Sequence, residues 1–384
     1  MHIFSFTSVG AGLLLFQEAA ALRIPLLHLR RQDSTPAPGP EVELLTDRNL
    51  TVLSAPFLPP PTNGFIRLAA FHPTNPFSPQ NITITRRGDT PRIRPIRPDT
   101  PITASRFPPD TLPNPIIAPV PRPERLSSPY FSIGKVTTRT AAGSLIATCT
   151  GTLVGSRIFL TALHCVQNKP TSGWSLTFTP AFDATNPNIP SPGAGPAGNA
   201  FSSSKCYGLK DGGISTSEVA TLQGTDYVIC VLDEAIGLQL GYLGTNTPDP
   251  QNVVTNATDY YLGRSWFSVG YPGNVGGGRE PIRAGEVWIG RVERSSEDVG
   301  NKVLATHPFS DGGWSGGPLY GLSEVQNGHG GDDAELIGVL SGMRVVDTED
   351  GMVYMASLYG GGPRLTKLVA WGRCEWPGWG GECS

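Results

Sequence analysis

The sequence predicts a predominantly β domain that ends in a short helix and follows an extended, proline-rich segment. Three observations carry that expectation. From Tyr130 onward, short apolar or alternating runs are separated by Gly, Asn, Asp and Pro, the spacing of sandwich or barrel strands. The 384 residues include 47 Gly and 37 Pro but only 16% charged residues, a turn-rich composition that argues against a coiled coil or helical bundle. Finally, 23 of the 37 Pro fall within residues 22–129.

Residues 1–21 read as a secretory signal peptide. An apolar stretch from Ile3 to Phe16 is followed by Ala19-Ala20-Ala21, a small-residue cleavage site, although no Lys or Arg leads it. A buried N-terminal helix is the alternative. Three glycosylation sequons, at Asn49, Asn81 and Asn256, agree with export into an extracellular setting. No later apolar run approaches membrane-spanning length, which excludes a polytopic membrane protein. The net charge of −3 makes no case for a nucleic-acid partner.

Residues 22–129 hold 13 Arg, no Lys and 8 Asp or Glu, while residues 130–384 hold 16 Lys or Arg against 23 Asp or Glu. So dense a scatter of Pro removes backbone donors and disfavours helices and central strands. The first segment is therefore expected to be extended, draped over the second or disordered. Its basic charge complements the acidic domain. Dibasic pairs at Arg30-Arg31 and Arg86-Arg87 offer cuts that would release it as a pro-region; a cut nearer residue 126 is a third choice. A solvated Arg pair is the competing reading of each.

In residues 130–384, strands are expected over Leu145 to Thr150, Ile158 to Leu163, Tyr227 to Leu232, Trp266 to Gly270, Glu286 to Val292, Val303 to Thr306 and Leu336 to Leu340. Residues 181–204, rich in Gly, Pro, Ser and Asn, read as a surface loop. Over Arg364 to Trp371, helical spacing puts Leu365, Leu368, Val369 and Trp371 on one face. All six cysteines, Cys149, Cys165, Cys206, Cys230, Cys374 and Cys383, lie in this domain. An even count in an exported chain argues for three disulfides rather than a metal site, since no pair stands at the close spacing zinc favours. Spacing alone does not choose among the pairings.

The chemistry centres on Gly313-Trp-Ser-Gly-Gly317, where crowded glycines let the backbone turn sharply and aim successive N–H groups at one point. Taken alone it reads as readily as a Gly-rich turn with an incidental Ser. A nucleophilic serine needs a base, and histidine suits neutral pH. Of six histidines, His164 ends an apolar run and adjoins a cysteine in Leu160-Thr-Ala-Leu-His-Cys165. His307 stands eight residues before Ser315 and is a candidate for the neighbouring pocket. A buried carboxylate must orient the imidazole, and Asp226 precedes the apolar run Tyr227 to Leu232. Each has a bland reading of its own: a core histidine, a chain-turning Asp. Together they stand in the order His, Asp, Ser, which separates the chymotrypsin arrangement from subtilisin and the α/β-hydrolases.

These motifs resemble those of chymotrypsin-like serine proteases, and more narrowly the secreted glutamyl endopeptidases. Cys149-Thr-Gly-Thr-Leu-Val-Gly-Ser-Arg-Ile-Phe-Leu-Thr-Ala-Leu-His-Cys165 is similar to the family's histidine motif. The stretch from Asp226 to Gly237, with Gly241-Tyr-Leu-Gly244, is similar to the aspartate segment of the glutamyl branch. Gly270-Tyr-Pro-Gly273 resembles its characteristic turn, Gly312 to Pro318 its serine loop, and Gly362-Pro-Arg-Leu-Thr-Lys367 the entry to its last helix. The resemblance implies two six-stranded antiparallel β-barrels with the active site between them. His164 would be general base then acid, Asp226 its orienting carboxylate and Ser315 the nucleophile, with an oxyanion hole from the N–H groups of Gly313 and Ser315. It implies a Cys149–Cys165 disulfide and an edge strand at Ser341-Gly342-Met343 that pairs with substrate; Cys206–Cys230 is a candidate second bridge, Cys374–Cys383 would then close the tail, and the connectivity beyond the first pair stays open.

Two departures bear on function. Trp314 precedes the serine where trypsin-type zymogens carry an Asp, so activation through an ion pair with a new N-terminus is not expected. Leu340 stands where the glutamyl branch has a substrate-reading His, with His307 and Asp311 the remaining polar candidates beside the pocket, so the preferred side chain stays open. The expectation is a secreted, monomeric serine endopeptidase acting on protein or peptide substrates, with no metal, cofactor, membrane or nucleic acid. The alternatives are a catalytically silent homologue serving as a binding module, and an esterase using the same triad.

Overall fold

The computed structural model describes residues 41–45, 65–73, 109–166, 173–185, 200–209, 223–248, 257–262, 264–294, 302–323, 333–347, 353–378 and 382. Three strands come from the proline-rich segment: β1 (Glu41–Leu45), β2 (Phe65–Leu68) and β3 (Ile116–Pro119). Then follow β4 (Ile133–Thr140), β5 (Leu145–Leu153), β6 (Ile158–Thr161), β7 (Trp174–Pro180), β8 (Phe201–Leu209) and β9 (Val228–Leu232). These six pair in the order β8-β7-β4-β5-β6-β9, and β8 bonds β9 to close the ring. A linking strand, β10 (Gly244–Pro248), leads to β11 (Ser265–Gly270), β12 (Ile282–Arg294), β13 (Lys302–Thr306), β14 (Pro318–Ser323), β15 (Asp333–Asp347) and β16 (Val353–Gly361). Their order is β14-β11-β12-β13-β16-β15, closed by β14 on β15. Both rings are antiparallel throughout, and closure removes the exposed edges that a flat sheet of this length would present. This is the chymotrypsin-like architecture of two six-stranded barrels and a C-terminal helix.

Each barrel fills its own interior. In the first, Phe159 and Phe178 stack at 4.8 Å among Val136, Leu153 and Leu176. In the second, Trp266, Trp314, Leu340 and Tyr359 form the centre. The helix Pro363–Glu375 buries Leu365, Leu368, Val369 and Trp371, as its spacing predicts, against Val154, Ile158, Tyr207 and Ile229 of the first barrel. Each such aliphatic side chain contributes roughly 1.5–3 kcal/mol. The helix runs past the expected Trp371 because tertiary bonds hold its last turn. Arg373 is buried, and its guanidinium donates to the carbonyls of Val154 (2.6 Å), Ala69 (2.9 Å) and Leu243 (3.0 Å).

The predicted strands are present, most of them longer than their apolar runs. β12 and β15 gain residues at both ends, where ladder hydrogen bonds rather than side-chain pattern decide. Ile158 to Leu163 is shorter: β6 stops at Thr161 and the chain turns into a 3-10 segment at Leu163–Cys165. The expected surface loop over residues 181–204 ends early, since Phe201, Ser202 and Ser203 already pair with β7.

The proline-rich segment lies extended along the domain where its described residues run, and there it contributes edge strands. β1 adds parallel to β8, β2 antiparallel to β10, and β3 antiparallel to β12. Edge positions are where a strand tolerates Pro, and Pro119 ends β3. The segment's basic groups meet acidic ones of the domain. Arg67 pairs with Asp333 and Glu335, and the buried Arg125 pairs with Asp183 (2.6 Å) and Glu280 (2.5 Å). The signal-peptide residues, both dibasic pairs and the sequons Asn49, Asn81 and Asn256 lie outside the described residues. No described helix is long and apolar enough to cross a membrane.

Candidate active site

His164 and Asp226 come from neighbouring strands of the first barrel. β6 ends at Thr161 and the following 3-10 turn carries His164; β9 begins at Val228, just after Asp226. β6 and β9 are paired, with Thr161 opposite Val228, so the two residues meet at the same end of the ladder. Asp226 is fully buried and its carboxylate is satisfied by three donors. These are the backbone N–H of His164 (2.9 Å), the Nδ1–H of His164 (2.7 Å) and the Ser341 hydroxyl (2.6 Å). Because a carboxylate only accepts, Nδ1 carries a proton, which leaves Nε2 as the nitrogen with the lone pair in the neutral imidazole. The His164 side chain is 28% exposed.

Ser315 comes from the second barrel. The Cys149–Cys165 disulfide, with Cα atoms 6.3 Å apart, crosses beneath it, and Cys165 Sγ lies 4.0 Å from the Ser315 carbonyl oxygen. The N–H of Thr150 holds the same carbonyl at 2.7 Å. Gly316, at φ +85°, seats the loop against β5 and β6: a Cβ there would overlap the Thr150 carbonyl oxygen and the Thr161 hydroxyl. Ser315 is therefore packed against Thr150 and Cys165, the latter next to His164 in the chain. Among the described residues no hydrogen bond joins Ser315 Oγ to the imidazole, a link that commonly closes only when substrate binds.

Most backbone N–H groups of the serine loop find acceptors within the protein. Gly312 donates to Asp311 Oδ1 (2.6 Å), Trp314 to Asp311 O (3.0 Å), Gly316 to Leu340 O (2.8 Å) and Gly317 to Trp314 O (2.8 Å). Only Gly313 and Ser315, among the described residues of this loop, donate to nothing in the protein. Gly313 has φ +97°, and a Cβ there would overlap the Tyr271 carbonyl oxygen, so the position requires glycine. Two unspent N–H groups next to a serine suit a developing oxyanion.

The other expected residues take varied places. Ser341 reaches Asp226 through its hydroxyl, with Gly342 half-buried and Met343 42% exposed beyond it on β15. Asp311 is exposed and caps the serine loop. His307 is half-buried, with a buried Nδ1 that finds no hydrogen-bond partner among the described residues. Leu340 is fully buried in the second core, packed in the same cluster as Trp314. The Trp314 indole is itself buried and donates to Ser268 Oγ at 3.1 Å. Cys206 and Cys230 are bonded directly across β8 and β9, with Cα atoms 4.0 Å apart. Cys374 is disulfide-bonded; Cys383 lies outside the described residues.

Sequence reasoning missed Thr150 and Gly273, both tied to the serine loop. The only signal for Thr150 was its place beside Cys149 in the histidine motif. A further pair of hydroxyls, Ser310 and Ser357, lies 3.0 Å apart just upstream of the loop, and Ser357 Oγ also accepts the N–H groups of Phe309 and Ser310.

No protein-family model and no curated protein sequence matches the chain. Among solved structures, the chain is similar to a Glu endopeptidase in complex with MPD, at 18% identity and TM-score 0.43. That likeness covers 67% of this chain and 96% of the other. A Drosophila clip serine protease of the Toll pathway, Grass, is similar at 15% identity and TM-score 0.40, covering 63% and 68%. By its own strand order, two closed barrels with the His164–Asp226 pair on one and the Ser315 loop on the other, the chain has the chymotrypsin-like serine protease fold.

Proposed function

We propose that the chain is a secreted serine endopeptidase in which Ser315 is the nucleophile, His164 the general base and acid, and Asp226 the orienting carboxylate. One observation supports the reading: a buried carboxylate accepts the Nδ1–H of His164, while the loop packed against the adjoining Cys165 carries a serine with two unspent N–H groups, its own and that of Gly313. Ser315 Oγ attacks the scissile carbonyl carbon as its proton passes to His164 Nε2. The carbonyl oxygen gains the negative charge, and the N–H groups of Gly313 and Ser315 receive it. His164 returns the proton to the leaving amine as the C–N bond breaks, giving an acyl-enzyme. Water then repeats the sequence and frees Ser315. Residues 1–21 direct export, sugars attach at the sequons, and the basic segment is processed. The chain acts as a monomer on proteins or peptides, without metal or cofactor.

A fluorophosphonate probe on the purified, secreted protein tests the reading, with the labelled peptide mapped by mass spectrometry. Label is expected on Ser315, and it should vanish in Ser315→Ala and His164→Ala. Folded wild-type protein that takes no label would overturn it in favour of a silent homologue that binds without cutting. Hydrolysis of p-nitrophenyl acetate without cleavage of casein would instead select the esterase.

A further inference from the structure

We propose that Gly273 and Thr150 are positioning residues that hold the peptide plane of the oxyanion site in its active orientation. The inference rests on the serine-hydrolase reading above and concerns how the Gly313 N–H comes to point at the substrate. In a trans peptide the C=O of one residue and the N–H of the next point in opposite directions. Wherever the Gly312 carbonyl is tied, the Gly313 N–H faces the other way. The Gly312 carbonyl accepts the Gly273 N–H at 2.8 Å, at the end of the Gly270-Tyr271-Pro272-Gly273 turn. The next peptide is tied to the same turn: the Gly313 carbonyl accepts the Thr150 hydroxyl at 2.8 Å, and that hydroxyl accepts the Tyr271 N–H at 3.1 Å.

The ties matter because the Gly312–Gly313 plane lies between two glycines. Neither flanking residue has a side chain to wedge that plane, and the space where a Gly312 Cβ would stand is open to 4 Å. A flip would withdraw the Gly313 N–H and turn the Gly312 carbonyl oxygen towards the developing negative charge. By contrast, the peptide that carries the Ser315 N–H is held within the loop, by Gly317 N–H on the Trp314 carbonyl. The first donor thus depends on Gly273 in the second barrel and on Thr150 in the first, while the second donor does not.

The space around Gly273 allows a clean pair of variants. A Cβ there would have Gly312 O at 3.7 Å, ordinary contact, so Gly273→Ala keeps both fit and N–H, whereas Gly273→Pro deletes the N–H. Thr150→Val deletes only the hydroxyl, and Thr150→Ser restores it. Acylation by p-nitrophenyl acetate, which needs no side-chain pocket, would be measured on the full secreted protein with Tm recorded for each variant. Gly273→Pro and Thr150→Val should lower the acylation rate constant about ten- to a hundredfold, part of the 10²–10³ typical of losing one donor. KM should stay within twofold, and Gly273→Ala and Thr150→Ser should stay near wild type. Should Gly273→Pro fail to fold, the Thr150 pair decides alone. The proposal is overturned if the deleting variants acylate at the wild-type rate, if Ala and Pro at 273 lose equally, or if the loss appears in KM. Wild-type protein that acylates no ester would sink the hydrolase reading itself, a different failure from variants that match an active wild type.

Discussion

Asp226 illustrates how a single carboxylate commits its surroundings. It has three donors and no water-facing surface, so a change that keeps its size but alters its hydrogen-bonding capacity should be felt as chemistry. Asp226→Asn replaces one acceptor oxygen by an N–H₂ that confronts a donor. The imidazole is then driven to the tautomer in which Nε2 carries the proton and cannot take one from Ser315. Fluorophosphonate labelling and ester hydrolysis should fall about 10⁴-fold while the fold persists. Activity within tenfold of wild type would remove Asp226 from the site. His164, Asp226 and Ser315 were legible in the sequence because their flanking glycines, cysteine and apolar runs are local patterns. Thr150 and the hydroxyl of Ser341 were not. Their partners are the carbonyls of Gly313 and the carboxylate of Asp226, each on the opposite barrel, and no spacing along the chain announces such a contact.

At the scale of elements, the stretch from β3 to β4 behaves as part of the domain. Arg125 lies in a 3-10 turn at Glu124–Leu126, is 4% exposed, donates to the Val120 carbonyl at 2.7 Å and meets both Asp183 and Glu280. A cut nearer residue 126 is therefore disfavoured, because a protease would have to extract a buried, doubly paired guanidinium. Arg125→Met leaves two carboxylates without their cation and should destabilise by about 3–5 kcal/mol. Burial pushes the Asp183 carboxyl up, but hydrogen bonds from Thr185 and Arg125 outweigh it and hold the pKa below the usual 3.8. Its folded pKa being lowered, Asp183 adds stability above pH 3.8 that disappears as pH falls through the folded value. Thermal unfolding followed from pH 5 to pH 2 should show that loss in wild type and a smaller one in Arg125→Met; equal slopes would contradict the pairing. The strands of the barrels could be read from their alternation, whereas β2 and β3 could not. Pro suppresses the strand signal, and edge strands exist only by virtue of the sheet they join.

Considered as a whole, the molecule joins a basic N-terminal segment to an acidic double barrel, and the charge difference between them was visible in composition alone. What composition leaves out is how firmly they are joined. β2 pairs four residues with β10, burying Ile66 and Leu68, and Phe71 exchanges two backbone hydrogen bonds with Tyr242 beneath stacked rings 5.3 Å apart. Arg373 of the last helix holds the Ala69 carbonyl, His72 Nε2 lies 3.0 Å from Asp333, and Arg67 reaches both Asp333 and Glu335. These contacts are mostly backbone ladder and buried apolar surface, which salt screens little. Cutting at Arg86-Arg87 would accordingly divide the chain without freeing its N-terminal part. A processed protein should run as one species on native size exclusion, in low and in 1 M salt, and yield a separate small fragment containing residues 65–73 only on a denaturing gel. A fragment that leaves the domain under native conditions would show that the segment is a detachable pro-region. A retained one makes β2 a permanent strand of the domain, so any control exerted by cutting must act through the chain between Pro73 and Pro109 rather than through loss of the whole segment.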